Sequence, residues 1–356
     1  MNLKVNSSDL NRMMKIIGQC IDQRDTAHGN IEIILDNNML SIRGANNTFC
    51  AVASMPCAET SGESFYVDGE MFGKVCSMNK GFVEIITDSK TCTIKGVGRT
   101  RLPLVDAKIP SLKRLKGKTL TVNAGDFRSC YDRVAYAVST DETRVVLTGV
   151  MMESVSGVLR MAALDGFQMS VEETKCAGDD VHVVIPAAMM KLIATGTTDE
   201  EDVKITVNDS AIQAETSVML VRCGLLAGEF PPWQKIVPYD FKMSCRVNVA
   251  ELKDALKAGS IVNNKQNLVK LDITADSMRV MNNSETADYE AEIPCATQGN
   301  SLKIAFNQRY LASTISAVDT EEADMNFNGP TSPVVVLNTN GQGIRLVLPV
   351  RIAGGQ

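Results

Sequence analysis

Leu3-Lys4-Val5-Asn6-Ser7-Ser8-Asp9-Leu10 is answered twice further along the chain, by Leu120-Thr121-Val122-Asn123-Ala124-Gly125-Asp126-Phe127 and by Cys245-Arg246-Val247-Asn248-Val249-Ala250-Glu251-Leu252. Each stretch is a short alternating strand, then a polar residue able to cap a helix, then an acid in the first helical turn. One such match is weak. Three, with Val5, Val122 and Val247 at intervals of 117 and 125 residues, define a repeat. An apolar stripe of helical period follows each: Leu10, Met13, Met14 and Ile17; Phe127, Val134 and Val138; Leu252, Ala255, Leu256 and Ile261.

Working outward, a second strand-to-helix step keeps the same interval at Tyr66-Val67-Asp68, Val184-Ile185-Pro186 and Ile304-Ala305-Phe306. Helical stripes follow at Met71, Phe72 and Val75, at Met189, Met190 and Ile193, and at Tyr310, Leu311 and Thr314. Each unit closes on an apolar-Pro step, Ile109-Pro110, Val237-Pro238 or Leu348-Pro349. Short strands bounded by turn residues fill the intervals, among them 31–35, 83–87, 158–162, 203–207, 269–273 and 334–337. The sequence therefore predicts an α+β chain of three tandem domains, each with two helices and about eight strands. The boundaries are 1–117, 118–240 and 241–356, near the basic loop at 113–118 and near 239–243.

The 356 residues suit two or three cores, and 44% apolar with 22% charged residues is a globular balance. The net charge of −6 argues against a surface that wraps nucleic acid throughout. The six predicted helices with their ends (8–20, 68–80, 126–138, 186–195, 251–265 and 306–318) nevertheless hold a small positive excess, which favours a basic helical lining inside an acidic shell. Ten cysteines lie among apolar neighbours and never as CxxC, the pattern of small buried hydrophobes with reduced thiols. The opening Met1-Asn2-Leu3-Lys4-Val5-Asn6 has no apolar core of a signal peptide, and no run approaches the ~20 apolar residues of a membrane span. A cytoplasmic protein with no membrane partner is expected.

Enzyme readings find little support. The two histidines, His28 and His182, have no partners at metal-ligand spacing, so no metal site and no cofactor is expected. Gly117-Lys118-Thr119 imitates the end of a phosphate loop, but Leu112 stands where its first glycine belongs. Gly96-Val97-Gly98 lacks the third glycine of a dinucleotide fingerprint, and Asp165-Gly166 reads as a turn with no second carboxylate or base beside it. No catalytic residue is assigned.

Four further stretches carry a resemblance over the whole chain. Residues 133–150 run from an apolar helix through Ser139-Thr140-Asp141-Glu142 and Arg144 to Leu147-Thr148-Gly149, and Ala162-Ala163-Leu164-Asp165-Gly166-Phe167-Gln168-Met169 follows. Gly228-Glu229-Phe230-Pro231-Pro232-Trp233 with Ile236-Val237-Pro238 comes next, and the chain closes on Leu346-Val347-Leu348-Pro349-Val350-Arg351. In this order they resemble the signatures of the beta subunit family of bacterial DNA polymerase III, the sliding clamps. The resemblance implies three DNA-clamp-fold domains per chain, with helices inward and antiparallel sheets outward, closing head to tail as a homodimeric ring around duplex DNA. It implies a non-catalytic processivity factor whose partners are double-stranded DNA, the replicative polymerase, the clamp loader, and repair and translesion proteins carrying clamp-binding peptides.

Carried over residue by residue, the implied peptide pocket between the second and third domains is lined by Arg144, Val146, Leu147, Leu164, Gly166, Phe167, Met169, Pro238, Leu346, Leu348 and Val350. Leu147, Leu346 and Leu348 taken alone read as core strand residues, so their assignment rests on the resemblance. The implied DNA-facing residues are Arg12, Lys15, Arg24, Lys74, Arg128, Arg133, Lys191, Lys253, Lys257 and Arg309, and the implied dimer contacts are Ile109, Ile261 and Val262. The chain also departs from the pattern. Phe167-Gln168 stands in place of His-Arg and Leu164 in place of threonine, which implies a more apolar pocket with an altered peptide preference. Ala187 and Ala188 occupy positions that are basic in many relatives. They keep open an alternative: a divergent clamp-like scaffold that binds replication or repair proteins without encircling DNA.

Overall fold

The structure, a computed structural model, describes residues 2–22, 28–58, 62–262 and 267–351. In the first unit β1 (Asn2–Asn6) leads into α1 (Ser7–Ile17), followed by β2 (Asn30–Asp36), β3 (Met39–Ala45), β4 (Phe49–Pro56), β5 (Glu63–Asp68), α2 (Gly69–Met78), β6 (Phe82–Thr87), β7 (Thr91–Lys95) and β8 (Arg99–Pro103). The second runs β9 (Lys118–Asn123), α3 (Ala124–Ala135), β10 (Gly149–Val155), β11 (Val158–Leu164), β12 (Gln168–Lys175), a two-residue β13 (Ala177–Gly178), β14 (Val181–Pro186), α4 (Ala187–Gly196), β15 (Asp202–Val207), β16 (Ala211–Glu215) and β17 (Met219–Gly224). The third repeats it: β18 (Met243–Asn248), α5 (Val249–Gly259), β19 (Leu268–Ile273), β20 (Ser277–Asn283), β21 (Asp288–Gln298), β22 (Leu302–Asn307), α6 (Gln308–Ser316), β23 (Glu322–Phe327), β24 (Val334–Asn338) and β25 (Ile344–Val347).

The repeated polar residue is a working cap. Asn6, Asn123 and Asn248 accept backbone N–H groups of the first turns of α1, α3 and α5, satisfying donors that a helix leaves orphaned. Asp68 and Asn307 do the same for α2 and α6, whereas α4 starts after Pro186 with no side-chain cap. The stripes bury nearly as their period predicts, Leu10, Met13, Met14 and Ile17 among them. Two positions differ: Met71 stands exposed on α2, and Ile261 lies beyond the end of α5 at 83% exposure.

Each unit is two four-stranded antiparallel sheets under a pair of helices. The first sheets run β1-β6-β7-β8, β9-β15-β16-β17 and β18-β23-β24-β25; the second run β5-β2-β3-β4, β14-β10-β11-β12 and β22-β19-β20-β21. Units join by pairing the last strand of one unit's second sheet with the last strand of the next unit's first sheet. Thus β4 pairs antiparallel with β17 (Phe49↔Cys223 to Ala53↔Met219), and β12 pairs with β25 (Gln168↔Val347 to Val171↔Ile344). The helices pack pairwise, α1 on α2, α3 on α4 and α5 on α6, with α1 also touching α4 across the first joint.

Candidate functional site

The second joint carries a separate apolar cluster on the sheet face opposite the helices. Strand alternation decides this: Val334, Val336 and Val347 point into the third unit's main core, while Val335 and Leu346 point the other way. There they meet Met151, Ala162, Leu164, Met169 and Val171 from β10, β11 and β12, together with Leu147. The segment between β17 and β18 crosses this face and lays Trp233 and Val237 on it, with Phe230 and Phe241 alongside. Arg160 stacks its guanidinium 5.6 Å from the Trp233 ring centroid and pairs with Glu153 at 2.9 Å and with Glu173, which fixes the indole from its solvent side.

The turn beside the cluster is built for one backbone path. Asp165 Oδ1 accepts the N–H groups of Phe167 (2.7 Å) and Gln168 (2.9 Å) around Gly166, whose φ of +95° favours glycine. A Cβ on Gly166 would stand 3.9 Å from Arg144 Nη1, so the arginine lies over the turn. Phe167, 56% exposed, stacks on Tyr310 of α6 with centroids 5.7 Å apart, and its carbonyl accepts the Leu348 N–H at 2.9 Å. Asp141 accepts the Thr143 N–H at 3.0 Å, and that bond holds its carboxyl below the usual carboxylate range.

Of the eleven expected pocket residues, Leu147, Leu164, Met169 and Leu346 are buried in the cluster and Val146 packs against it. Phe167 and Leu348 stand exposed beside it and Arg144 and Gly166 are exposed at the adjoining turn, while Val350 is exposed with its N–H on the Ala305 carbonyl of the third unit and Pro238 is half-buried. Sequence reasoning missed Trp233, Val237, Val335 and Tyr310 as participants. The sole tryptophan, placed just before an apolar-Pro step, was the available signal. The arrangement offers apolar packing surface rather than proton-transfer chemistry.

On the helix side of the same joint lies a buried polar network. Arg345 of β25 is 0% exposed; its guanidinium donates to Glu172 of β12, to Asn338 Oδ1 (3.1 Å) and to the Ala317 carbonyl (2.7 Å). Arg133 of α3 lies 3.4 Å from Glu172 and 2.8 Å from Asp319. Burial pushes the Glu172 carboxyl up, against the lowering pull of Arg345 and Arg133.

The expected DNA-facing cations divide. Lys15, Lys191, Lys257 and Arg309 are exposed and Lys253 is half-buried. Lys74 is exposed but pairs with Glu70, and Arg12 pairs with Glu201 at 3.2 Å. Arg128 is turned into its own unit, donating to Asp199 and to the Ala194 carbonyl (2.6 Å), so it and Arg133 serve packing first. Arg24 lies outside the described residues. Among the dimer candidates Ile261 is exposed and Val262 half-buried, but Ile109 is 8% exposed and already covered within its own chain. The exposed large apolar groups among the described residues of that unit are instead Met71, Met78, Phe82 and Val97. Among the described residues no cluster of histidine, cysteine and acid side chains could hold a metal, and no helix is long and apolar enough to cross a membrane.

Three repeated units of two sheets and two helices, joined edge to edge, define the class: a sliding-clamp architecture. Solved clamp structures superpose on nearly all of it. The DNA polymerase III beta subunit of Thermotoga maritima matches at a TM-score of 0.92 with 21% identity, covering 99% of this chain and 100% of that one. The Bacillus subtilis sliding clamp gives 0.91 with 22% identity, covering 99% of each chain. The Pseudomonas aeruginosa clamp, solved bound to griselimycin, gives 0.92 with 20% identity and the same 99% and 100% coverage. By sequence, the "Beta sliding clamp" of Staphylococcus aureus is 25% identical over 284 residues, 77% of this chain and 74% of that protein. The family models for the DNA polymerase III beta subunit match in succession, central domain over residues 121–232 and C-terminal domain over 234–351. The chain belongs to the DNA polymerase III beta subunit family, the beta sliding clamps, and is a non-catalytic processivity factor of DNA replication.

Proposed function

We propose that two copies of this chain close head to tail into a ring that encircles duplex DNA without reading its sequence. The ring tethers the replicative polymerase, and by turns the clamp loader and repair or translesion proteins, through the apolar cluster at the second joint. The joining rule carries the ring reading. Both joints within the chain pair the last strand of a second sheet with the last strand of the next first sheet. Among the described residues that rule leaves β8 at one end and the Asp288–Pro294 part of β21 at the other without such a partner. Unpaired edges of this kind are templates for strand addition, and the two are complementary. Arg99 and Arg101 stand exposed on β8 about the buried Leu102; Asp288, Glu290 and Glu292 stand exposed on β21 about Tyr289, Ala291 and Ile293.

Helices laid across phosphates contact no base edges, so binding is sequence-independent and salt-sensitive, and retention comes from topology. Loading onto nicked circular DNA with a cognate loader, followed by linearisation, tests this. The ring stays on circles and slides off free ends; equal retention on both refutes encirclement. One observation favours the second reading, a scaffold that does not encircle DNA: Arg12, Arg128 and Arg133 are paired with carboxylates of their own chain, and α4 begins with Ala187 and Ala188. The same experiment separates the two.

For docking, the exposed Leu348 and Phe167, joined by their backbone bond, stand beside the buried Met169, Leu164 and Leu346. Each large apolar anchor buried there contributes ~1.5–3 kcal/mol, so two or three give affinities of order μM, which permits exchange of partners. Leu164, Phe167 and Gln168 favour anchors that are apolar throughout. Griselimycin, bound by the Pseudomonas aeruginosa clamp, is the defined ligand with which we test this docking reading.

A further inference from the structure

We infer that Arg345 is the positioning residue of the docking surface, bracing its two walls from the opposite face of the sheet through Glu172. The inference rests on the docking reading above. The two walls belong to different units: Met169 and Leu164 to the second, Leu346 and Leu348 to the third. Between them four residue pairs, Gln168↔Val347 to Val171↔Ile344, stitch β12 to β25, extended by one backbone bond from the Leu348 N–H to the Phe167 carbonyl. A seam that short permits the units to hinge, and hinging moves Leu346 and Leu348 relative to Met169.

Arg345 spans that seam. It sits in β25 immediately before Leu346, and its planar fork reaches Glu172 on β12, Asn338 on β24 and the Ala317 carbonyl after α6. Three acceptors on three elements around one fully buried guanidinium fix a direction as well as a distance. Gly343 is held to the same geometry: a Cβ there would stand 2.5 Å from Glu172 Oε1 and 2.8 Å from Arg345 Nη1. Apolar burial alone would hold the units together here. The buried ion pair contributes orientation, since a well-packed apolar replacement of such a pair is often as stable.

That difference supplies the test. The double variant Glu172→Leu with Arg345→Met removes both charges, and Arg345→Lys keeps the charge but loses the fork. Griselimycin binding is titrated by calorimetry on the full chain, with the thermal midpoint measured alongside. Trp233, the only tryptophan and part of the docking floor, is read without ligand by emission maximum and acrylamide quenching. The double variant is expected to keep its midpoint, to bind about tenfold more weakly (about 1.4 kcal/mol), and to expose Trp233 to quencher. Arg345→Lys is expected to fall between it and the native protein. Native affinity and native quenching in a folded double variant overturn the inference. If the double variant does not fold, native values for Arg345→Lys overturn it. If the native protein does not bind griselimycin, the docking reading fails on its own, and Trp233 quenching still decides whether Arg345 positions the surface.

Discussion

Reversing the charge of the β8 edge is expected to open the proposed ring. In the closed form proposed above, an antiparallel seam built by the same joining rule sets the exposed Arg99 and Arg101, on the β8 face opposite Leu102, against the exposed Asp288, Glu290 and Glu292 of the other copy. Opposite charges directly across a strand pair contribute ~0.2–1 kcal/mol each, and like charges cost a similar amount. Arg99→Glu with Arg101→Glu therefore changes the energy of each seam by ~1–4 kcal/mol, a roughly 5- to 800-fold weaker interface. Light scattering over a dilution series reads the result directly. The native chain holds twice its 38.5 kDa mass, and the variant falls to a single chain at concentrations where the native ring is intact. The reciprocal change, Glu290→Arg with Glu292→Arg, dissociates the ring in the same way, and combining the two sets restores it. Raised salt brings native and variant closer together, because exposed pairs are screened. The reasoning is refuted if the β8 variant remains dimeric at native strength, or if the combined set is no better than either alone.

Two other outcomes follow from named side chains. Leu348→Ala with Met169→Ala removes one exposed and one buried anchor of the docking floor; binding of griselimycin falls by at least two orders of magnitude, about 3 kcal/mol, while the scattering mass is unchanged. Unchanged affinity refutes the assignment. Burial pushes the Cys20, Cys76, Cys92 and Cys223 thiols up to about 12 from the usual 9.0. The unfolded chain therefore sheds these protons first, and the stability they contribute is complete below pH 9 and is lost as pH rises toward 12. Urea midpoints fall over that window, and replacing Cys76 and Cys92 by alanine makes the fall shallower; an identical slope in the variant refutes the account.

Much of the fold was legible because the repeat reports the same local physics three times. The caps at Asn6, Asn123 and Asn248 and the stripes behind them are near-neighbour effects, and each became a helix where the spacing placed it. The joints were not legible. Nothing in Phe49–Ala53 or Met219–Cys223 announces that they pair, since strand pairing across units is decided by which edges the tertiary fold leaves open. The docking floor shows the same limit. Leu147, Leu346 and Leu348 read as core strand residues; the first two are buried, in a cluster whose separation from the main core depends on which face of the sheet each occupies, whereas Leu348 stands exposed just past the end of β25. Trp233 and Val237 join them from a connecting segment, where neither helical nor strand period applies. Arg128 and Arg133 looked free because sequence gives no sign of Asp199 or Asp319, far along the chain yet within reach in space. Ile109 looked available for the same reason.

The three kinds of joint in the proposed ring differ in a way that suits their work. The two within the chain never need to open, and both are cross-braced by side chains. Arg12 meets Glu201 and Arg114 meets Glu215 at the first; Arg133 meets Asp319 and Arg345 meets Glu172 at the second. Breaking a pair such as Arg345 and Glu172 strands a buried charge at ~3–5 kcal/mol, so that joint resists any excursion. The joint between copies must open for DNA to enter and leave. Its charges, Arg99 and Arg101 against Asp288, Glu290 and Glu292, are exposed in the separate chain, and water re-solvates them when the seam parts. Exposed pairs contribute ~0–1 kcal/mol each, enough to select partner edge and register without making opening prohibitive. Placing the costly buried charges where the chain is continuous, and the inexpensive exposed ones where it is not, directs any opening force on the ring to the β8–β21 seam.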